Sequence, residues 1–121
     1  MSSTPSSKSL DINVLRRMSY HIEVFEPIVD PSNDNIDVFV CFANGAKYVA
    51  TFLTLAFVVE TMKSDKTLGD RCEGHYFFWT DAIIVDVLSL ESFDRVVKDL
   101  LDTGDFNFAF VFVESEQPSQ N

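Results

Sequence analysis

The chain is poor in glycine, proline and cysteine. Of its 121 residues only 4 are glycine and 4 are proline, and 46% are hydrophobic, which excludes a disordered or collagen-like chain and favours one globular domain. Two cysteines, Cys41 and Cys72, are too few for a disulfide framework. The polar first residues lack a secretory apolar segment, and no run approaches the roughly 18 apolar residues of a membrane span. We therefore expect a cytoplasmic protein.

Positive charge is scarce as well. Nine Lys and Arg stand against 19 Asp and Glu, which gives a net charge of −10. Residues 1–18 carry +2, so residues 19–121 carry −12. Such an acidic body repels phosphates and anionic lipids, so we expect neither nucleic acid nor membrane as a partner, whereas a basic protein surface is attracted. In the alternative interpretation, the acidity only keeps an aromatic-rich protein soluble.

Sequence motifs of catalysis and cofactor binding are missing. There is no Gly-rich phosphate loop, no HExxH and no GxSxG, so we expect no enzyme, no catalytic residue and no cofactor. Cys72 and His75 have the spacing of two zinc ligands, but a structural site needs four and His21 is the only other histidine, so no metal is expected. The same pair is a poor nucleophile candidate, because catalytic pairs rarely lie three residues apart on one loop.

The most regular stretch surrounds Asn44-Gly45, a dipeptide typical of a two-residue hairpin turn. That turn places Val40 opposite Val49. One face of the hairpin then carries Val38, Val40, Phe42, Val49 and Thr51, and the other carries Phe39, Cys41, Tyr48, Ala50 and Phe52. Both faces are apolar, so each of them needs a covering element or a second molecule.

Periodicity predicts the remaining elements. In chain order we expect a strand at 20–26, a loop at 27–35, the hairpin, a helix at 55–66, a loop at 67–74, a break near Thr80-Asp81, a strand at 82–87, a helix at 90–102 and a strand at 105–114. Thr54 and Ser89 are predicted N-caps, and Gly104 is predicted to end the second helix. Asp94 and Lys98 form a favourable i, i+4 pair on that helix.

The predicted apolar faces follow from the same periods. The first helix has Leu55, Val58, Val59 and Met62 on one face; the second has Leu90, Phe93, Val97, Leu100 and Leu101; the last strand has Phe106, Phe108, Phe110 and Phe112. Residues 1–18 are expected to be disordered or an extension, with 10–17 either one helical turn or loose. Met18 is then a candidate natural start, and residues 115–121 are expected to fray.

The predicted order is βββαβαβ. It indicates an α+β fold, in which an antiparallel β-meander is followed by α-β-α-β and two helices pack on one sheet face. The other face, with Phe39, Tyr48 and Phe52, then needs a cover. We expect a homodimer there.

A second binding surface is indicated where Trp79, Thr80 and Asp81 interrupt an apolar run. In one interpretation Asp81 only satisfies the backbone at a bulge. In the other, Tyr76, Trp79 and Asp81 line a recognition surface, because aromatic side chains beside acids make good anchors for a basic partner.

The succession of hairpin, Thr-capped helix, YFFWTDAIIVDVLSLESF and Phe-rich strand resembles small bacterial α+β proteins. In size, acidity and layout, residues 19–114 are similar to immunity proteins of bacterial toxin systems, which bind and neutralise basic toxin domains. This resemblance implies a non-enzymatic module for a basic partner and carries over no site residue. Two alternatives stay open: a small-ligand-binding protein or enzyme with a pocket between the sheet and the first helix, and a structural homo-oligomer.

Overall fold

A computed structural model of the chain describes residues 10–115. In order, the elements are α1 (Ile12–Arg16), β1 (Tyr20–Glu23), β2 (Asn35–Phe42), β3 (Ala46–Thr54), α2 (Leu55–Leu68), α3 (Arg71–Gly74), β4 (Ala82–Val85), α4 (Leu90–Thr103), α5 (Phe106–Ala109) and β5 (Val111–Ser115). The α+β class is confirmed. The predicted disorder of residues 1–9 and fraying of 116–121 lie outside the described residues.

One five-stranded sheet organises the molecule. β1, β2 and β3 form the predicted antiparallel meander. On the side of β3 away from β2, its first half pairs antiparallel with β5 and its second half pairs parallel with β4. A parallel neighbour requires the chain to cross back to its starting end. Residues 55–81, which include α2 and α3, make that crossing, and we call them the crossover segment.

The hairpin register differs by one residue from the predicted one. Val40 pairs with Tyr48 and not with Val49. The loop therefore holds three residues, 43–45, where two were expected. Gly45 adopts a φ of 95°, the left-handed conformation that the last position of a three-residue hairpin loop requires.

Because side chains alternate along a strand, this one-residue shift exchanges the faces of one strand of the hairpin. The predicted division into two apolar faces is therefore wrong. The inner face carries Ile36, Val38, Val40, Phe42, Ala46, Tyr48, Ala50 and Phe52, all of them buried. The outer face carries Asn35, Asp37, Phe39, Cys41, Lys47, Val49, Thr51 and Leu53. Tyr48 and Phe52 thus lie on the face opposite Phe39, in the hydrophobic core.

The helix α4 covers the inner face. Its predicted ends are confirmed: the Ser89 hydroxyl accepts from the backbone N–H of Ser92 at 3.0 Å, and Gly104 ends the helix with a φ of 90°. The side chains of Phe93, Val97 and Leu101 are buried, whereas Leu90, predicted on the same face, is exposed. Phe93 meets Phe52 edge to face, with ring centroids 4.9 Å apart, so this contact joins helix to sheet.

The helix α2 also begins at its predicted cap, since Thr54 accepts from the N–H of Phe57 at 3.1 Å. Its predicted buried face is largely exposed, however. Of the four apolar residues expected there only Val58 is buried, and Leu55 is 59% exposed. Among the described residues, the core cluster on the inner face includes none from α2.

Residues 10–17 belong to the domain. Leu15 is fully buried in the core, the Arg16 side chain donates to the carbonyl of Leu101 at 2.8 Å, and the N–H of Leu10 donates to the Tyr48 hydroxyl at 2.8 Å. The predicted boundary at residue 19 is therefore too late, and of the two alternatives for this stretch the helical turn is observed. That Met18 is a natural start stays a prediction.

The Phe-rich C-terminal stretch is not one strand. Residues 106–109 form the helical turn α5, and β5 begins only at Val111. Phe106 and Phe110 stack in the core with centroids 4.6 Å apart, whereas Phe108 is 87% exposed. The predicted common face of four Phe residues is therefore wrong, because Phe at positions i and i+4 satisfies a helical turn as well as a strand. Across the described residues, no helix is long and apolar enough to cross a membrane.

Candidate functional site

The crossover segment brings together three of the six residues predicted to bind. Tyr76, Trp79 and Asp81 all lie exposed on its last part, between α3 and β4. The predicted break is present there: Asp81 has a φ of 56°, and its carbonyl accepts from the N–H of Thr51 at 2.9 Å, so β4 begins directly afterwards. This bond is made by the main chain of Asp81, so both interpretations of its side chain stay predictions.

The other three predicted binding residues lie elsewhere. Phe39 is half-buried on the outer face of the sheet, where the exposed ring of Phe25 packs against it with centroids 5.1 Å apart. Tyr48 and Phe52 are fully buried in the core and have no exposed surface to offer a partner. The expected surface of Phe39, Tyr48 and Phe52 is therefore not formed. It depended on the predicted register, which differs by one residue from the observed one.

The short element α3, which follows α2, is a left-handed turn. Three consecutive non-glycine residues, Arg71, Cys72 and Glu73, have φ values of 47°, 52° and 59°, and Gly74 continues the turn at 78°. Each such residue costs on the order of 1–2 kcal/mol. The strain is offset by local contacts that sequence patterns do not reveal.

One of these contacts is the ion pair between Arg71 and Asp65 of α2, whose Nη1 and Oδ2 atoms are 2.6 Å apart. Asp65 is buried and Arg71 only partly exposed, so the pair is shielded from solvent far better than a surface salt bridge. Gly74 packs directly on the backbone of α2: a Cβ atom there would collide with the carbonyl oxygen of Met62 and lie 3.0 Å from the nitrogen of Lys66. The turn is thus fastened to α2 at both ends.

Aromatic contacts continue from this ion pair to the end of the segment. The Arg71 guanidinium lies over the Phe77 ring at 5.9 Å. Phe77 stacks on Trp79 with centroids 6.2 Å apart, and Trp79 meets the edge of Phe57 on α2 at 6.2 Å. We call these three contacting residues, Phe57, Phe77 and Trp79, together with their chain neighbours Tyr76 and Phe78, the aromatic cluster.

The outer members of the aromatic cluster face solvent. Phe78 is 70%, Tyr76 47% and Trp79 38% exposed. Five carboxylates and three Lys or Arg side chains give the same segment a net charge of −2. Four of its carboxylates are exposed, those of Glu60, Asp70, Glu73 and Asp81. Aromatic side chains within an acidic segment are suited to meet a surface that is both apolar and basic.

A polar network joins β1 to α4. The Tyr20 hydroxyl donates to Asp94 at 2.7 Å, and the Lys98 ammonium donates to the same carboxylate at 2.8 Å, which confirms the predicted Asp94–Lys98 pair. Hydrogen bonds from Lys98 and then from Tyr20 hold the pKa of Asp94 below its usual range. Burial, and then the bond to Asp94, raises the pKa of Tyr20. This network fastens α4 to the sheet.

Metal-ligating residues are grouped at one place. Within residues 10–113, the one group of at least three such side chains is His21, Glu23 and Cys41, whose ligand atoms all lie within 4.8 Å of one another. Cys72 and His75 belong to no such group among those residues. The sequence analysis did not predict the group of His21, Glu23 and Cys41, because its members come from two strands. Only His21 and Glu23 could have been recognised in the sequence, since residues two apart on a strand share a face.

The principal cavities lie away from the aromatic cluster. One is a broad groove along α4, one lies beside the hairpin loop and one beside residues 26–29. Tyr76, Trp79 and Asp81 line none of these three. Comparison with protein-family models, curated proteins and solved structures finds no match to this chain.

Proposed function

We propose that this chain is a non-enzymatic, acidic protein-binding module, which recognises a basic partner protein through the exposed aromatic rings of the crossover segment. The observation that carries the proposal is the exposure of Tyr76, Phe78 and Trp79 on a segment that is itself fastened in place. Large exposed apolar groups that lie together mark interaction sites more often than ordinary surface. Tyr, Trp and Phe are also the residue types enriched at interface centres.

The fastening supports a binding role on energetic grounds. A partner that meets flexible aromatic side chains must first order them, at about 0.5–1.5 kcal/mol for each immobilised side chain. Here the stacking of Phe77 on Trp79 and the Asp65–Arg71 ion pair order the segment in the free protein. The strained turn at Arg71, Cys72 and Glu73 is consistent with this, since strain of that kind persists where a segment has to be held in one position.

Charge complementarity supports a basic partner. The chain carries −10, and Glu60, Asp70, Glu73 and Asp81 are exposed on the crossover segment. Opposite charges raise the rate of association and make it fall with ionic strength. We assign the protein to the cytoplasm, where the thiols of Cys41 and Cys72 stay reduced.

An immunity protein is the most specific form of this proposal. Its partner would be a basic toxin domain encoded next to it, and binding would neutralise the toxin. Co-expression tests this form: the wild-type chain is expected to restore growth of cells that express the neighbouring toxin, and Trp79→Ala is expected to restore it poorly. Growth restored equally by both chains would show that neutralisation does not use the aromatic cluster.

The general proposal is tested by quantitative binding to the purified partner, with Phe78→Ser and a matched control, Phe108→Ser. Both residues are exposed phenylalanines, but Phe108 lies on α5, outside the crossover segment. Loss of an anchor at an interface centre is expected to weaken binding by roughly 30-fold, and Phe108→Ser is expected to leave it unchanged. A partner that binds both variants equally, or whose affinity is unchanged from low to high salt, contradicts the proposal.

A homodimer is the second candidate, and the free sheet edge favours it. Among the described residues, β4 and β5 have no strand on the side away from β3. Ile84, Val111 and Val113 are exposed on these two strands, and such an edge is a template for pairing with another copy. Light scattering over a range of concentrations tests this assembly. A dimer abolished by Val113→Lys but not by Phe78→Ser would support pairing through the edge, whereas a monomer at every concentration excludes it.

A further inference from the structure

The outer face of the sheet holds three metal-ligating side chains beside the hairpin loop. His21 and Glu23 are two residues apart on β1 and so point to the same side. Cys41 on β2 is the direct antiparallel neighbour of His21. Backbone pairing within the sheet therefore fixes all three Cα positions, and such a site does not depend on a mobile loop.

The distances between the ligand atoms suit one small cation. The His21 Nε2 and Glu23 Oε2 atoms are 2.8 Å apart, and all three ligand atoms, the Cys41 sulfur included, lie within 4.8 Å of one another. Tetrahedral zinc with bonds of about 2.0–2.3 Å separates its ligand atoms by roughly 3.3–3.8 Å. Small side-chain rotations reach that geometry, because His21 is exposed and Glu23 half-buried, whereas Cys41 is held in the sheet.

We propose that His21, Glu23 and Cys41 form a zinc-binding site. The donor set of one imidazole nitrogen, one carboxylate oxygen and one thiolate sulfur is of the mixed, borderline-soft kind that zinc prefers over magnesium or calcium. A thiolate and a carboxylate together neutralise the two positive charges of the ion.

A positive charge lies at the edge of the site. Lys47 is paired with Cys41 across the sheet and lies over the Phe39 ring at 5.8 Å. Cysteine binds metal as a thiolate, so zinc binding releases the thiol proton of Cys41 to solvent.

The three protein ligands leave the fourth position of zinc open. A cavity of about 240 Å³ adjoins them, lined also by residues 42–45 and Lys47. A water molecule or a small anionic ligand fits there, as in zinc sites with three protein ligands.

Cobalt titration of the full, reduced chain tests the site. Co²⁺ bound by a thiolate in a tetrahedral site gives a near-ultraviolet charge-transfer band and strong visible bands, and Zn²⁺ is expected to abolish both by displacement. Cys41→Ser is expected to remove the charge-transfer band, and Cys72→Ser, which changes the other cysteine of the chain, to keep it. His21→Ala is expected to weaken Zn²⁺ binding by more than roughly 100-fold, since even partners of metal ligands are worth about 10–100-fold.

The control for the histidine variant is His75→Ala, which is expected to leave Zn²⁺ affinity unchanged. Circular dichroism checks the fold of each variant, and His21→Ala at an exposed position provides the test if Cys41→Ser does not fold. A charge-transfer band that survives Cys41→Ser, or that disappears in Cys72→Ser, overturns the proposal. So does a wild-type chain that shows no such band at saturating Co²⁺.

Discussion

The helices α4 and α2 are alike in length and in their capping residues, but they differ in how much of their apolar surface is buried. Each spans 14 residues, begins after a hydroxyl cap, Ser89 or Thr54, and ends at a left-handed glycine, Gly104 or Gly69. The sequence predicted three of these four caps, Thr54, Ser89 and Gly104, but not Gly69. The structure confirms that both helices start where predicted. Local chemistry thus determines where a helix starts and stops.

Burial separates the two helices. The α4 helix buries Phe93, Val97 and Leu101 against the sheet, whereas α2 buries only Val58 and the charged Asp65. A helix that leaves most of its apolar side chains exposed contributes little to the core that it borders. The α4 helix therefore belongs to the core, whereas α2 contacts the crossover segment through Phe57 and Asp65.

The difference between the two regions is tested by truncating one aromatic ring of α4 and one of the crossover segment. Phe93→Ala removes a fully buried ring and is expected to lower the free energy of unfolding by about 3–5 kcal/mol. Phe78→Ala removes an exposed ring and is expected to change it by less than about 0.5 kcal/mol. Urea denaturation measures both. Similar losses in the two variants would mean that the crossover segment belongs to the core.

A second comparison extends the core to α1. Leu15→Ala is expected to cost about 2–5 kcal/mol, because Leu15 is fully buried, and the neighbouring Val14→Ala, at an exposed position, should cost little. Thermal and urea unfolding provide the values. If Leu15→Ala were as mild as Val14→Ala, residues 10–17 would be the extension that the sequence suggested.

The ion pair tests what holds the crossover segment. Asp65→Asn keeps the size of the side chain and removes its charge, and we expect a loss of about 1–2 kcal/mol, since Arg71 is partly exposed. Hydrogen exchange should quicken first at residues 71–79. Glu60→Gln, which disrupts the exposed Glu60–Lys63 pair, is the control and should cost less than about 0.5 kcal/mol. Unchanged exchange in Asp65→Asn would show that other contacts hold the turn.

The smallest expected effect concerns Tyr20 and the pH dependence of α4 packing. Tyr20→Phe removes the hydrogen bond to Asp94 and should cost about 1 kcal/mol at pH 7. The folded pKa of Asp94 is depressed, so its contribution is present above the unfolded pKa of about 4 and is lost as the pH falls below it. Between pH 7 and 3 the variant should therefore lose less stability than the wild type. A parallel decline in both chains would contradict this role.

For the hairpin, the sequence predicted the position of the turn but not the length of its loop. Asn44-Gly45 correctly marked the turn, but the loop includes Ala43, and the Asn44 side chain accepts from the N–H of Ala46 at 3.0 Å. Both loop lengths suit this dipeptide. The three-residue loop places eight buried apolar side chains of the two strands on the inner face, while Phe39, Val49 and Leu53 stay on the outer face. The expected surface of Phe39, Tyr48 and Phe52 resulted from the wrong register.

Of the two candidate sites, only the one whose residues are close together in the sequence was predicted. Tyr76, Trp79 and Asp81 were recognised because aromatic and acidic residues stand together in the sequence, and the structure exposes them together. The group that includes His21 and Cys41 depends on pairing between strands, which no local pattern shows. Packing of the Phe-rich end was missed likewise, since alternate Phe residues fit both a strand and the helical turn that forms.

Site-specific photocrosslinking in the native host tests the central claim most directly. A photoreactive phenylalanine analogue replaces Phe78 of the crossover segment or, as the control, Phe108 of α5. Both of these side chains are exposed. We predict one discrete adduct from position 78, with a basic protein as its second component, and none from position 108. An adduct of equal yield from both positions, an adduct of position 78 with a second copy of this chain, or no adduct from position 78 would contradict the account.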